Sequence, residues 1–269
     1  MSTKQMIDVG KQLRYNRIVS PETGKTVIVP MDHGIISGPI AGVEDPAATV
    51  RKVVKGGANA VIFNAGLAPC VYQEYMNRAG ALFNLTNMCT DRTDHTLISS
   101  VEYAVRNAAD GVTVQILVGS PNEEHMLNNL RIVADECSRW GMPLLAMMYY
   151  DGAKLKEKGY AEAFTHAARA GAELGADIVK TVYTGDHDSF KRLVDACPVP
   201  VVIAGGPKRD TLREALEMVR DAIDCGAIGI AMGRNIWQSP DPTAMTAALA
   251  DIIHRGKAVD ELDLPEGWV

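Results

Sequence analysis

One pattern constrains this chain more than any other. Short apolar, β-branched runs alternate with amphipathic stretches from residue 25 to residue 254, eight times over. The runs cover residues 25–31, 59–63, 81–86, 111–118, 144–149, 177–182, 200–204 and 227–232. Helices are predicted over 45–55, 101–108, 120–140, 160–174, 186–196, 209–224 and 242–254, with a short helical turn at 235–238. Asp45 followed by Pro46 is a helix start on capping grounds. Residues 4–19 form an amphipathic helix ahead of the repeat, the polar stretch 87–99 is a long loop, and residues 256–269 are a polar, loosely held tail. Strands alternating with helices at this length argue for the α/β class and a TIM (β/α)8 barrel, a single domain over residues 1–269. An open doubly wound sheet is the rival, but no GxGxxG follows the first strand, as a dinucleotide fold would require.

A barrel places its chemistry at the C-terminal ends of its strands. Those ends hold Asp32 and His33, Asn64, Tyr149 and Tyr150, Lys180 with Thr181, Gly205 and Gly206, and Gly233 with Arg234. Lys180 is the informative one, because residues 177–182 are otherwise a buried strand. A buried ammonium costs several kcal/mol unless it is paired or sheds its proton. An amine held in such a place is a nucleophile for a ketone carbonyl. The plainer alternative is a lysine whose head reaches water or meets Asp186. Asp32 is either a site carboxylate that holds Lys180 or orients a substrate hydroxyl, or a turn residue. Tyr149 either moves a proton or packs in the core. His33 either lines the site or is structural, and Met147 with Met148 belongs to the core.

The turns after the seventh and eighth strands, IAGGP and AMGRN, occupy the positions where this fold commonly holds phosphate. Glycine lets backbone N–H groups approach an anion, and Arg234 adds a charged fork. The histidines at 33, 95, 125, 166, 187 and 254 make no HxH or HxxxH pair, so no metal is expected. The formal charge of −6 comes without a basic block, which argues against nucleic acid as a partner. There is no signal-peptide core and no apolar run of membrane-spanning length. The five scattered cysteines read as reduced thiols, and the protein is expected in the cytoplasm, acting on a small molecule.

PMDHG, LLAMMY, GADIVKT with YTGD, CPVPVVIAGGPK and GRNIWQ occur in this order. Together they resemble the archaeal-type (DhnA-type) class I fructose-bisphosphate aldolases and the related 2-amino-3,7-dideoxy-D-threo-hept-6-ulosonate synthases. The resemblance implies Lys180 as the Schiff-base lysine, Tyr149 as the proton donor and acceptor, and Asp32 as an assisting carboxylate. It implies phosphate at Gly205, Gly206, Gly233 and Arg234, no cofactor beyond the covalent lysine, a sugar-phosphate substrate, and a homo-oligomer, pentamer or decamer. Asn64-Ala65, Gln115 and Tyr150-Asp151 depart from the synthases, which tend to carry basic residues, histidine and proline there. The acceptor aldehyde therefore stays open between an aldolase and a transaldolase-type synthase. A thiolase acting on phosphorylated autoinducer-2, a metal-dependent aldolase or isomerase, and a non-catalytic sugar-phosphate binder are the other readings.

Overall fold

Ten strands are present in the computed structural model, which describes residues 8–88, 94–206, 211–265 and 268. They are β1 (Thr26–Pro30), β2 (Ala60–Asn64), β3 (Gly80–Asn84), β4 (Thr86–Met88), β5 (His95–Leu97), β6 (Gly111–Val118), β7 (Leu144–Tyr150), β8 (Ile178–Val182), β9 (Val201–Ala204) and β10 (Gly229–Ala231). Eight of them close into a barrel in the order β1-β2-β3-β6-β7-β8-β9-β10, every pairing parallel. Helices cover the outside, so both faces of each strand are buried and the strands read as unbroken apolar runs.

Within those runs the two-residue alternation sorts the side chains. Ile28, Ala60, Ile62, Leu82, Leu145, Met147, Ile178, Val202 and Ala231 form one buried cluster inside the barrel. Their strand neighbours, such as Val27, Val61, Phe83, Ala146, Met148, Val179 and Ile203, belong to a second cluster that packs under the helices. Lys180 pairs in register with Met147 and Val202. It therefore continues the inward row of Ile178 toward the C-terminal mouth.

The N-terminal helix (Val9–Ile18) closes the other end. Ile18 is fully buried among the inward residues. Two glycines make room for it: a Cβ at Gly111 would stand 2.8 Å from Ile18 Cδ1, and one at Gly80 would stand 2.8 Å from the Arg17 carbonyl oxygen. Arg17 pairs with Asp110 at 2.9 Å and Lys11 with Asp177 at 2.7 Å, which straps the helix to the loops that enter β6 and β8. Asp8 is its N-cap, and residues 1–7 of the predicted segment lie outside the described ones.

Four expectations need correction. The stretch 87–99 is not simply a loop: β4 and β5 pair antiparallel, Thr86 with Leu97 and Met88 with His95. Helices Ala68–Tyr75 and Gly152–Lys158 were not foreseen. Each is short, and the second is exposed to intermediate throughout, so neither carries a strong apolar stripe. The third barrel strand ends at Asn84 rather than at 86, because Thr86 turns into the hairpin. The described part of the tail is anchored rather than loose, since Val259 is buried, Leu262, Leu264 and Trp268 pack on the core, and Arg213 reaches Asp260 at 2.6 Å. The predicted helix at 209–224 begins at Leu212 with Thr211 as its cap, and residues 207–210 lie outside the described ones. Among the described residues no helix is long and apolar enough to cross a membrane.

Candidate active site

A cavity of about 680 Å³ opens at the C-terminal ends of the barrel strands. Asp32, His33, Tyr149, Lys180, Gly205, Gly206, Gly233 and Arg234 all line it, as do Asn64, Asn84 and Gln115. A larger groove of about 960 Å³ runs past Arg17, Asn59, Tyr72 and Asp110 at the opposite end. It receives none of the strand-end residues, so size alone does not locate the chemistry.

Lys180 is 6% exposed. Its Nζ lies 3.6 Å from the Met147 thioether, a weak acceptor. No ion pair joins it to a described carboxylate. Asp186 is occupied elsewhere: it caps the helix His187–Ala196, accepting from the Ser189 N–H at 2.9 Å and the Ser189 hydroxyl at 2.7 Å. The plainer reading of a lysine tied to Asp186 is thereby excluded, and Asp32 makes no ion pair with it either.

Asp32 is instead fixed by amides. Its Oδ2 accepts from Asn84 Nδ2 at 3.0 Å, and its backbone oxygen accepts from Asn64 Nδ2 at 3.0 Å. The Asn84 amide is oriented in turn, since its Oδ1 accepts from the Thr86 N–H at 3.1 Å and the Thr86 hydroxyl at 3.0 Å. That leaves the NH₂ end free to face the carboxylate. Asn84 was not singled out from sequence. The signal was there: ALFN, like AVIFN of β2, ends an apolar run on asparagine at an inward position.

His33 stacks edge-on against Trp237, with ring centroids 5.5 Å apart. Its Nδ1 is 3.7 Å from Asp32 Oδ1, too far for a hydrogen bond. Burial pushes the imidazole below its ordinary value; Lys180 and Arg234 push the same way, and Asp32 opposes them. The ring is therefore neutral at neutral pH.

The two tyrosines diverge. Tyr149 pairs in register with Leu117 and belongs to the inward row above Met147. Tyr150 alternates to the other side of the strand, where Gly119 leaves room for its ring and Lys158 lies 5.9 Å above it, and it too lines the edge of the cavity.

The two glycine turns meet. Arg234 Nη2 donates to the Gly206 carbonyl at 3.3 Å, and Asn235 Nδ2 donates to the Gly205 carbonyl at 3.0 Å. Gly233 is the N-cap of the short helix Arg234–Trp237. The reason for glycine differs from the sequence expectation at two of the three positions. A Cβ at Gly205 would stand 2.9 Å from Asn235 Nδ2, and one at Gly233 would stand 2.9 Å from the Pro30 carbonyl. Backbone excludes a side chain at Gly233, and one at Gly205 would have to displace the Asn235 amide. At Gly206 nothing crowds the position, but φ is +62°, which favours glycine. The outcome is a rim of backbone and one guanidinium opposite the amine.

Known proteins place the chain in a family. Residues 26–239 match the model of the DeoC/LacD family aldolases. A 2-amino-3,7-dideoxy-D-threo-hept-6-ulosonate synthase of Halobacterium salinarum is 43% identical over 253 residues, 93% of either chain. A 3-hydroxy-5-phosphonooxypentane-2,4-dione thiolase of Escherichia coli is 35% identical over 256 residues, 94% of this chain and 86% of that one. Among solved structures, an archaeal fructose-1,6-bisphosphate aldolase with its catalytic lysine covalently bound to the carbinolamine intermediate superposes with a TM-score of 0.82. It is 31% identical and covers 91% of this chain and 99% of its own. The chain belongs to the DeoC/LacD family of aldolases.

Proposed function

We propose that the protein makes or breaks a carbon–carbon bond in a phosphorylated ketose through an iminium on Lys180. The observation that carries this reading is the lysine itself. It is buried, turned inward at a strand end, free of a carboxylate partner, and set beside Tyr149 in a cavity whose rim suits an anion. The Lys180 amine adds to the ketose carbonyl and water leaves. The iminium draws in the electron pair of the bond between its α and β carbons, and the enamine left on Lys180 is then protonated and hydrolysed to free the amine. Tyr149 takes the hydroxyl proton as the aldehyde departs, and in the forward condensation it returns one. Gly205, Gly206, Gly233 and Arg234 hold the phosphate and so position the reacting carbons. Asp32, fixed by Asn84 and Asn64, orients a substrate hydroxyl. Borohydride reduction with dihydroxyacetone phosphate tests the assignment, and the adduct is expected on the peptide that contains residue 180. A label on a different lysine overturns it.

Condensation with an aldehyde acceptor, as in the synthases, is the second reading. The 43% identity to a synthase favours it over the aldolases that superpose at 31%. Turnover of fructose 1,6-bisphosphate, 6-deoxy-5-ketofructose 1-phosphate and aspartate semialdehyde, measured side by side, separates the two. Chemistry at a lysine needs no metal. The assembly is proposed to be a homo-oligomer in the cytoplasm; Val9, Leu13 and Trp140 expose apolar surface that a neighbouring subunit would cover. Analytical ultracentrifugation reads its size.

A further inference from the structure

Outside the barrel, on the side of β8, three metal-ligating side chains meet. His187 opens the helix His187–Ala196, Asp221 lies in the helix Leu212–Asp224, and Cys225 follows that helix directly. His187 Nδ1 is 2.7 Å from Asp221 Oδ1 and 3.3 Å from Cys225 Sγ, and Cys225 Sγ is 4.0 Å from Asp221 Oδ2. We propose that His187, Asp221 and Cys225 bind one divalent d-block ion, with zinc the best match.

The donor set suits that chemistry: one imidazole, one carboxylate and one thiolate are borderline-to-soft ligands of the kind zinc takes. The spacing suits it as well. A tetrahedral zinc with ordinary bond lengths separates its ligand atoms by about 3.3–3.6 Å. His187 Nδ1 lies at 2.7 Å from Asp221 Oδ1 and 3.3 Å from Cys225 Sγ, below that figure or at its lower edge, and Sγ stands 4.0 Å from the other carboxylate oxygen, so the side chains rotate apart to complete the site around Oδ1. Asp221 and Cys225, four residues apart, share one helix face. The carboxylate is held from behind, because Tyr183 donates its phenol proton to Asp221 Oδ2 at 2.5 Å. Such an outer partner orients a ligating carboxylate.

The surrounding charge favours a cation. Asp188 and Asp224 act on the same groups as Asp221, although Arg220 pairs with Asp224, and against them stands Lys191. Lys191 is itself paired with Asp195. Burial, helped by Asp221 and Asp224, pushes the Cys225 thiol up to about 11, while the hydrogen bond that His187 donates to Asp221 raises the imidazole. Without metal the cluster thus holds its protons. A zinc ion displaces the thiol proton, and the imidazolium proton where present, into solvent.

Histidine spacing alone does not show this site. The ligands come from two helices and the nearest sequence pattern is Asp221-x3-Cys225. It is separate from the reaction chamber, since none of the three residues lines that cavity. Binding would tie the segment that follows the lysine strand to the next helix, a fastening role.

Cobalt(II) titration of the full, metal-stripped chain tests the proposal. The expected result is one ion per chain, a thiolate-to-cobalt absorption band with tetrahedral d–d bands, and a higher Tm with zinc that chelator reverses. His187→Gln and Cys225→Ser should each lose the band and the Tm response. His187 has a half-exposed side chain, so its variant keeps the fold even if the buried cysteine variant does not. Cobalt bound without a thiolate band, a band that survives His187→Gln, or no binding at all overturns the assignment and leaves the cluster a hydrogen-bond network.

Discussion

Lys180 and Met147 face each other across β8 and β7, amine to thioether, 3.6 Å apart. A weak acceptor is a poor substitute for water or a carboxylate, so the lysine sits in the core at a cost. Lys180→Met should abolish turnover and borohydride labelling. It should also stabilise the fold by about 1–3 kcal/mol, since a buried polar group with inadequate partners is removed. Urea unfolding of the two proteins gives the comparison, and a destabilised variant would mean the amine has a stronger partner than Met147.

The divergence of the two tyrosines makes the second prediction. Tyr149→Phe should lower kcat by roughly a hundredfold or more while lysine labelling persists. Tyr150 lines the same cavity, but its ring is engaged beside Gly119 and Lys158 and it is out of the inward row of Lys180, so Tyr150→Phe should keep near-normal turnover. Reversed results would move the proton carrier to Tyr150.

Arg234 is the charged member of the rim, and it is exposed. Its contribution should fall at the lower end of charge-assisted bonds, about 1.5 kcal/mol, which is roughly tenfold in affinity. Arg234→Ala should weaken a phosphorylated ketose by that factor and leave the unphosphorylated sugar nearly unchanged, as isothermal titration would record. Equal losses for both ligands would make Arg234 structural.

Acid should destabilise the protein through its buried histidines. His33, His95 and His254 are each held below the ordinary imidazole value, first of all by burial. The unfolded chain takes up these protons near pH 6.5, before the folded chain does. Their contribution is thus fully present above that pH and is lost as pH falls below it. His187 has the opposite sign, its stabilisation fading as pH rises through its raised value, but its half-exposed side chain is screened by solvent and contributes little. The urea midpoint should fall between about pH 7 and pH 5. His95→Gln should flatten that fall.

The seat of Ile18 can be tested by coupling. Gly111→Ala brings a methyl group within 2.8 Å of Ile18 Cδ1 and should cost about 1–3 kcal/mol. Ile18→Val removes that atom. In the double variant part of the loss should return, by 0.5 kcal/mol or more, roughly the size of coupling between touching residues. Strict additivity would place the strain elsewhere, at Pro143 or Leu82.

The barrel could be read in the chain because each inward and outward residue of a parallel strand is apolar, so eight runs stand out. The strand-end residues could be read for the same reason: Lys180, Asp32 and Tyr149 interrupt or close such runs. What could not be read depended on distant partners. Asn84 matters through Asp32, and Asp32 is 52 residues away. Gly205 and Gly233 answer to Asn235 and Pro30, contacts that no local pattern encodes. The β4–β5 hairpin is three residues a side and polar, beneath the length at which periodicity speaks.

Ile18 has a kinetic consequence. With one end of the barrel stoppered, the chamber around Lys180 is a cul-de-sac, and whatever enters it must leave by the same door. Any two-reactant exchange at that amine would run in turns: the first fragment departs, the second arrives, and the lysine carries the remainder between them. Parallel lines in a double-reciprocal plot would be the mark of that traffic.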